Sequence, residues 1–212
     1  MSVEKGFAML PQTDLDERSA ASIAFLKAHF DGKRLLGVPR LSLEQAAQPA
    51  GYCYQNVWRF IDELGGDIQY GWQFTQLPGK FIEAMHHAVW ISPGGALVDV
   101  TDRAYSGIRL AITAFVADNG PLIPTRDCTP SIPSIFWDIG NDPLTAAYCN
   151  ITIGRIAALQ AIKFRHFGAV GTGEPRQKEF FRHDDDTLYA MYEDLTEKRE
   201  ALMRRIVGDE ND

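Results

Sequence analysis

The stretch GYCYQNVWRFIDELGGDIQYGWQFTQLPGKFIEAMHHAVWISPGGALVDVTD, residues 51–102, decides the fold. Val57, Phe60, Ile61 and Leu64 recur at helical spacing after Cys53, and Gly65-Gly66 stops that helix. Asp67 to Leu77 reads as a strand with Ile68, Tyr70 and Trp72 on one face. Phe81 to Ser92 reads as a second strand, Pro93-Gly94-Gly95 as a turn, and Ala96 to Thr101 as a third strand. A helix followed by antiparallel strands with apolar faces predicts an α+β domain, the helix covering the sheet.

The same stretch carries the chemistry. Cys53 stands at the start of the helix, where unpaired backbone N–H groups stabilise negative charge on a thiolate. His86 and His87 lie in the second strand and Asp99 in the third. A nucleophile, a base and an orienting carboxylate are the parts of a thiol-based triad. The two histidines are adjacent, so they face opposite sides of the sheet. His87 shares its side with Phe81, Glu83, Met85, Val89 and Ile91; His86 shares the other with Ile82, Ala84, Ala88 and Trp90. Turn length decides which one meets Asp99. A two-residue Gly94-Gly95 turn favours His86, and a three-residue loop from Pro93 favours His87. The plainer readings are a space-filling cysteine, a hydrogen-bonded core histidine and an exposed edge carboxylate.

At 212 residues the chain suits a single domain, with a catalytic-type core at about 43–117. An amphipathic helix over 14–31 precedes it, carrying Ala20, Ile23, Ala24, Leu26 and Phe30 on its apolar side. Lys33 to Ser42 reads as a Pro-containing connector and Leu43 to Ala47 as a short helical turn. Ala104 to Phe115 has no clear type, and Asp118 to Asp142 reads mostly as loop. A mainly helical part covers about 143–208, with helices at Ile153–Phe167 and Asp185–Val207. Between them Gly168 to Glu174 reads as a glycine-rich loop, and His183-Asp184-Asp185-Asp186 as a helix cap rather than a metal site.

Net charge is −7 without a dense Lys/Arg run, which argues against nucleic-acid binding. No apolar run is long enough to span a bilayer. The N-terminus lacks a secretory pattern. Three widely spaced cysteines, Cys53, Cys128 and Cys149, make no disulfide framework or Cys-x-x-Cys ribbon, so a reducing cytoplasm is expected. Cys128 and Cys149 read as space-filling. No cofactor and no metal are expected, and oligomeric state is not legible.

A cysteine at a helix start, then histidine and aspartate on neighbouring antiparallel strands, resembles the transglutaminase-like branch of the papain-like fold. The series Gly51-Tyr-Cys-Tyr-Gln-Asn-Val, Gly65-Gly66, Gly71-Trp72, His87-Ala-Val-Trp and Leu97-Val-Asp-Val-Thr also resembles a poorly characterised bacterial group. Some members of that group carry a cysteine-rich metal-binding tail, which this sequence lacks. The resemblance covers about a quarter of the chain. It implies a papain-like core with a C-terminal helical extension, Cys53 as nucleophile, His87 as base and Asp99 as orienter. Papain-like enzymes place an oxyanion-binding glutamine a few residues before the cysteine. Gln48, five before Cys53, is one residue too close for that pattern and reads more simply as a loop residue. Gln55, Asn56 or the backbone N–H of Cys53 could serve instead. Trp72 and Trp90 are candidates for lining a cleft, against the plainer reading as core.

The expected function is a thiol hydrolase or acyl transferase acting on an unknown peptide or small-molecule amide or ester. The alternatives are a non-catalytic papain-like binding domain and a zinc site built from Cys53, a histidine and Asp99.

Overall fold

The computed structural model describes residues 15–41, 51–102, 111–121, 123, 126, 129–167 and 186–208. Its centre is an antiparallel sheet that curls back on itself. The strands are β1 (Leu35–Pro39), β2 (Asp67–Leu77), β3 (Phe81–Ile91), β4 (Leu97–Val98), β5 (Ile112–Ala117) and β6 (Ile135–Asp138). Their order is β1-β5-β2-β3-β4, with β6 added on β3. Asp99 N donates to Pro39 O at 2.8 Å, and Leu41 N donates to Asp99 O at 2.9 Å. These bonds return the end of β4 to the end of β1, so the sheet is nearly a barrel. Val89 of β3 meets Val38 of β1 and Phe115 of β5 although β3 neighbours neither of those strands, which places the three inside the curl.

The helices are α1 (Ala20–Phe30), α2 (Cys53–Leu64), α3 (Pro143–Phe167) and α4 (Asp186–Val207). The mixed helix and antiparallel-sheet architecture is the expected α+β class. The opening of α2 at Cys53 and the bounds of β2 match the sequence reading. Gly65, at φ 76°, ends α2 by donating its N–H to Ile61 O. Gly66 has φ 93°, and a Cβ there would run into the backbone of Ile91 and the Trp90 indole.

Other boundaries move for identifiable reasons. Ser19 caps α1 by accepting from Ser22 N, so the helix begins at Ala20 rather than near Asp14. Its buried anchor is Phe25, and Ile23 is exposed, because Phe25 is the ring that nests between Phe30, Phe74 and Trp137. In α2, Leu64 is exposed at the last turn, and Tyr54 and Trp58 complete the buried face instead. The expected connector holds β1, whose pairing with β5 runs through a glycine and a terminal proline, residue types that disguise a strand. The expected loop holds β6, a four-residue strand paired with residues 81–84 of β3. The α3 helix starts ten residues before Ile153. Asp142 accepts from the N–H and hydroxyl of Thr145, and Pro143 takes the first helical position.

The α3–α4 pair covers the turn end of the β2–β3 hairpin. Phe81 stacks on Tyr148, and Leu202, Met203 and Ile206 close over them. Buried Cys149 fills space in the same cluster. The expected turn near Leu43, the loop at 168–174 and most of the 183–186 acidic run lie outside the described residues, as do Gln48 and Cys128. No described helix is long and apolar enough to cross a membrane.

One strand position tests the curled sheet. Gly71 lies opposite His87 on β2 and also pairs with β5. A Cβ there would meet Val116 O and the Phe115 ring. Replacement by alanine, mild by composition, is expected to cost about 2 kcal/mol or more through overpacking. Urea unfolding of Gly71→Ala would measure it, and a midpoint equal to that of the wild type would contradict this packing.

Candidate active site

The α2 helix begins at Cys53 without a side-chain cap: Tyr52 holds the N-cap position and makes no capping bond. The first amide closed into the helix is that of Asn56, which donates to Tyr52 O at 2.9 Å. The thiol therefore stands at a bare positive helix end. Cys53 is half-buried at the edge of the α2 cluster formed by Tyr54, Val57, Trp58, Phe60, Ala88 and Val100. Asn56 is buried and donates from its amide to Thr101 Oγ1 at 3.1 Å. That bond ties the first turn of α2 to the segment that carries Asp99.

Strand β3 brings the imidazoles. Its outer edge pairs with β6 over residues 81–84 and with β4 over 90–91. Among the described residues, 85–89 pair on the β2 side alone, and His87 sits in this gap. The hairpin register sets Trp90 opposite Val98 and Ile91 opposite Leu97. This leaves the three-residue loop Pro93-Gly94-Gly95, with Gly95 in the left-handed region at φ 80°. Strand β4 stops at Val98, short of the expected end at Thr101, because Asp99 turns away to bridge Arg40.

His87 is buried and shares a hydrogen bond with Asp99, Nε2 to Oδ1, at 3.1 Å. The Cys53 side chain is within hydrogen-bonding reach of the same ring. With Nε2 engaged by Asp99, Nδ1 is the nitrogen left for the thiol. Burial opposes charge on His87, but the Asp99 carboxylate, with Cys53, outweighs it and raises the ring to about 9. Asp99 is 0% exposed. Burial alone would favour its neutral form, yet His87 and Arg40, with the Thr113 hydroxyl, hold it well below the usual carboxylate range. Its Oδ1 also accepts from Thr101 N at 3.1 Å. Its Oδ2 accepts from Thr113 Oγ1 at 2.6 Å and from Arg40 Nε and Nη2 at 3.2 Å.

His86 lies on the other face. Its Nδ1 meets the Tyr54 hydroxyl at 2.6 Å, and its ring stacks on Tyr70 and meets Trp72 edge-on. Burial, with the neighbouring His87, lowers it to about 4. The two tryptophans share that face. Trp72 is buried under α1 and donates its indole N–H to Asp118 Oδ2 at 3.0 Å. Trp90 anchors the far end of α2 by donating to Gly65 O at 2.9 Å. Both are thus packing residues on the side of β3 away from His87. A shallow hollow of about 690 Å³ lies between α3 and α4, lined by Ala157, Gln160, Ala161, Phe164, Arg165 and Leu188, none of which belongs to the Cys53 cluster.

Arg40, Thr113 and Thr101 are the members of this cluster that the sequence reading missed. Arg40 sat in a stretch read as connector, and Thr113 in one of unassigned type. A buried aspartate demands such partners, so the signal was Asp99 itself, flanked by valines. Among the described residues no group of three or more His, Cys, Asp or Glu side chains is arranged to hold a metal ion. No family model, curated protein or solved structure matches this chain.

The His87–Asp99 pair makes stability depend on pH with a definite sign. A ring raised from 6.5 to about 9 binds its proton more tightly when folded. Its contribution is full below pH 6.5 and is lost as the pH rises through 9, amounting to on the order of 3 kcal/mol. His86, lowered to about 4, acts oppositely: its contribution is present above pH 6.5 and lost as the pH falls through 4. Unfolding free energy measured from pH 6 to 9.5 should fall more steeply in the wild type than in His87→Gln. Equal slopes would contradict the raised His87.

Proposed function

We propose that this protein is a cysteine-dependent hydrolase or acyl transferase acting on an amide or ester, with Cys53 as nucleophile, His87 as base and Asp99 as orienter. The observation that carries the reading is the His87 ring, bonded to buried Asp99 at 3.1 Å and within reach of a thiol at a bare helix start. We infer on the same ground that the core is papain-like or transglutaminase-like.

In this reading His87 Nδ1 takes the Cys53 proton, and the sulfur attacks the substrate carbonyl carbon. The carbonyl electrons move onto oxygen, where the Cys53 N–H and the positive end of α2 stabilise the oxyanion. As the carbonyl re-forms, the bond to the leaving amine or alcohol breaks and His87 returns its proton to that group. A thioester on Cys53 remains. Water or an amine, deprotonated by His87, then attacks it and releases the thiol. Asp99 accepts from Nε2–H throughout, which keeps Nδ1 facing the sulfur. His86 is bonded to Tyr54 on the opposite face, which favours His87 for the role.

Brief iodoacetamide labelling followed by peptide mapping tests this. Cys53 should label at least about tenfold faster than buried Cys149, because the thiolate is the reacting form. His87→Ala should remove the preference, and His86→Ala should retain it. Equal labelling of Cys53 and Cys149 in the wild type would overturn the nucleophile, and the reverse pattern in the two histidine variants would move the base to His86.

A further inference from the structure

We propose that Arg40, braced by Thr113, is a positioning residue for this chemistry: it pins one oxygen of Asp99 so that the other stays aimed at His87. The inference rests on the nucleophilic reading of Cys53 and deepens it.

The Arg40 side chain is 5% exposed, at the point where the sheet closes. Its Nε and Nη2 both donate to Asp99 Oδ2 at 3.2 Å. Nη2 also donates to Thr113 Oγ1 at 2.6 Å, and the Thr113 hydroxyl spends its own proton on Oδ2, again at 2.6 Å. The donors are consistently oriented: guanidinium to hydroxyl, hydroxyl to carboxylate. Asp99 therefore cannot exchange its oxygens without breaking three bonds at Oδ2 and two at Oδ1. A planar guanidinium fixes a carboxylate in this way better than a point charge does.

Charge gives a second reason. His87 must alternate between neutral and protonated in the proposed cycle. Whenever it is neutral, Asp99 needs another positive partner, since an unpaired buried carboxylate is unfavourable. Arg40 is that partner. It keeps Asp99 ionised in both states, so His87 can surrender its proton to a leaving group without stranding a buried charge. An ion pair serving only to close the sheet would not need to share its carboxylate with the ring that faces Cys53.

The test is a coupling cycle on Cys53 labelling in the full chain. Arg40→Met is expected to slow labelling by roughly tenfold, with Arg40→Lys returning to within about threefold of the wild type. On an Asp99→Asn background the Arg40→Met change should have less than about a twofold effect, because Arg40 acts through Asp99. Circular dichroism establishes that each variant is folded. If Arg40→Met does not fold, Thr113→Val replaces it in the same cycle and should slow labelling by about threefold. Wild-type labelling in the folded variant, or an undiminished effect on the Asp99→Asn background, overturns the proposal. His87→Ala separates the two claims. If it leaves Cys53 labelling unchanged, the nucleophile reading itself fails. If it suppresses labelling and Arg40→Met does not, only the role of Arg40 fails.

Discussion

A carboxylate fully removed from water governs this structure. Asp99 has 0% exposure and accepts from His87, Thr101, Arg40 and Thr113. These partners come from β3, the segment after β4, the end of β1, and β5. Removing any one of them leaves a buried charge short of a donor, a loss of several kcal/mol where an ion-pair partner goes. The requirement to satisfy Asp99 thus draws four pieces of chain to one point. It closes the curled sheet and fixes the plane of the His87 ring in the same act.

The rest of the site follows from where that ring is held. Adjacent histidines on a strand must face opposite ways, and the hairpin loop selects which one reaches the carboxylate. His87 is turned toward Asp99 and Cys53; His86 is turned toward Tyr54, Tyr70 and Trp72. Their environments drive them apart, one raised to about 9 and the other lowered to about 4. Adjacent residues of one chemical type therefore have opposite tendencies to hold a proton. Gly71, opposite His87, contributes by having no side chain where the Phe115 ring must fit.

What was readable in advance was local. The 3.6 spacing of Val57, Phe60 and Ile61, the paired glycines after Leu64 and the long hairpin announced α2, β2 and β3. The candidates Cys53, the His86-His87 pair and Asp99 were legible because each is an unusual residue type for its place, while the choice between the two histidines waited on the length of the hairpin loop. What was not legible depended on distant partners. Strand β1 contains Gly37 and ends at Pro39, and acquires its strand character from pairing with β5. Leu64 fits the apolar period of α2 yet is exposed in its last turn. Trp72 and Trp90, candidates for a cleft, answer to indole hydrogen bonds with Asp118 and Gly65 that no spacing rule reveals. Arg40 could not be assigned to Asp99 until the sheet was closed.

The central claim is that this buried network activates a thiol, and intact-protein mass spectrometry with p-nitrophenyl acetate tests it most directly. The account predicts a single acetyl group added rapidly to the wild type, mapped to Cys53, sensitive to hydroxylamine as a thioester is, and lost in Cys53→Ala and His87→Ala. Acetylation confined to surface amines, or a Cys53 adduct forming equally fast in His87→Ala, would contradict it.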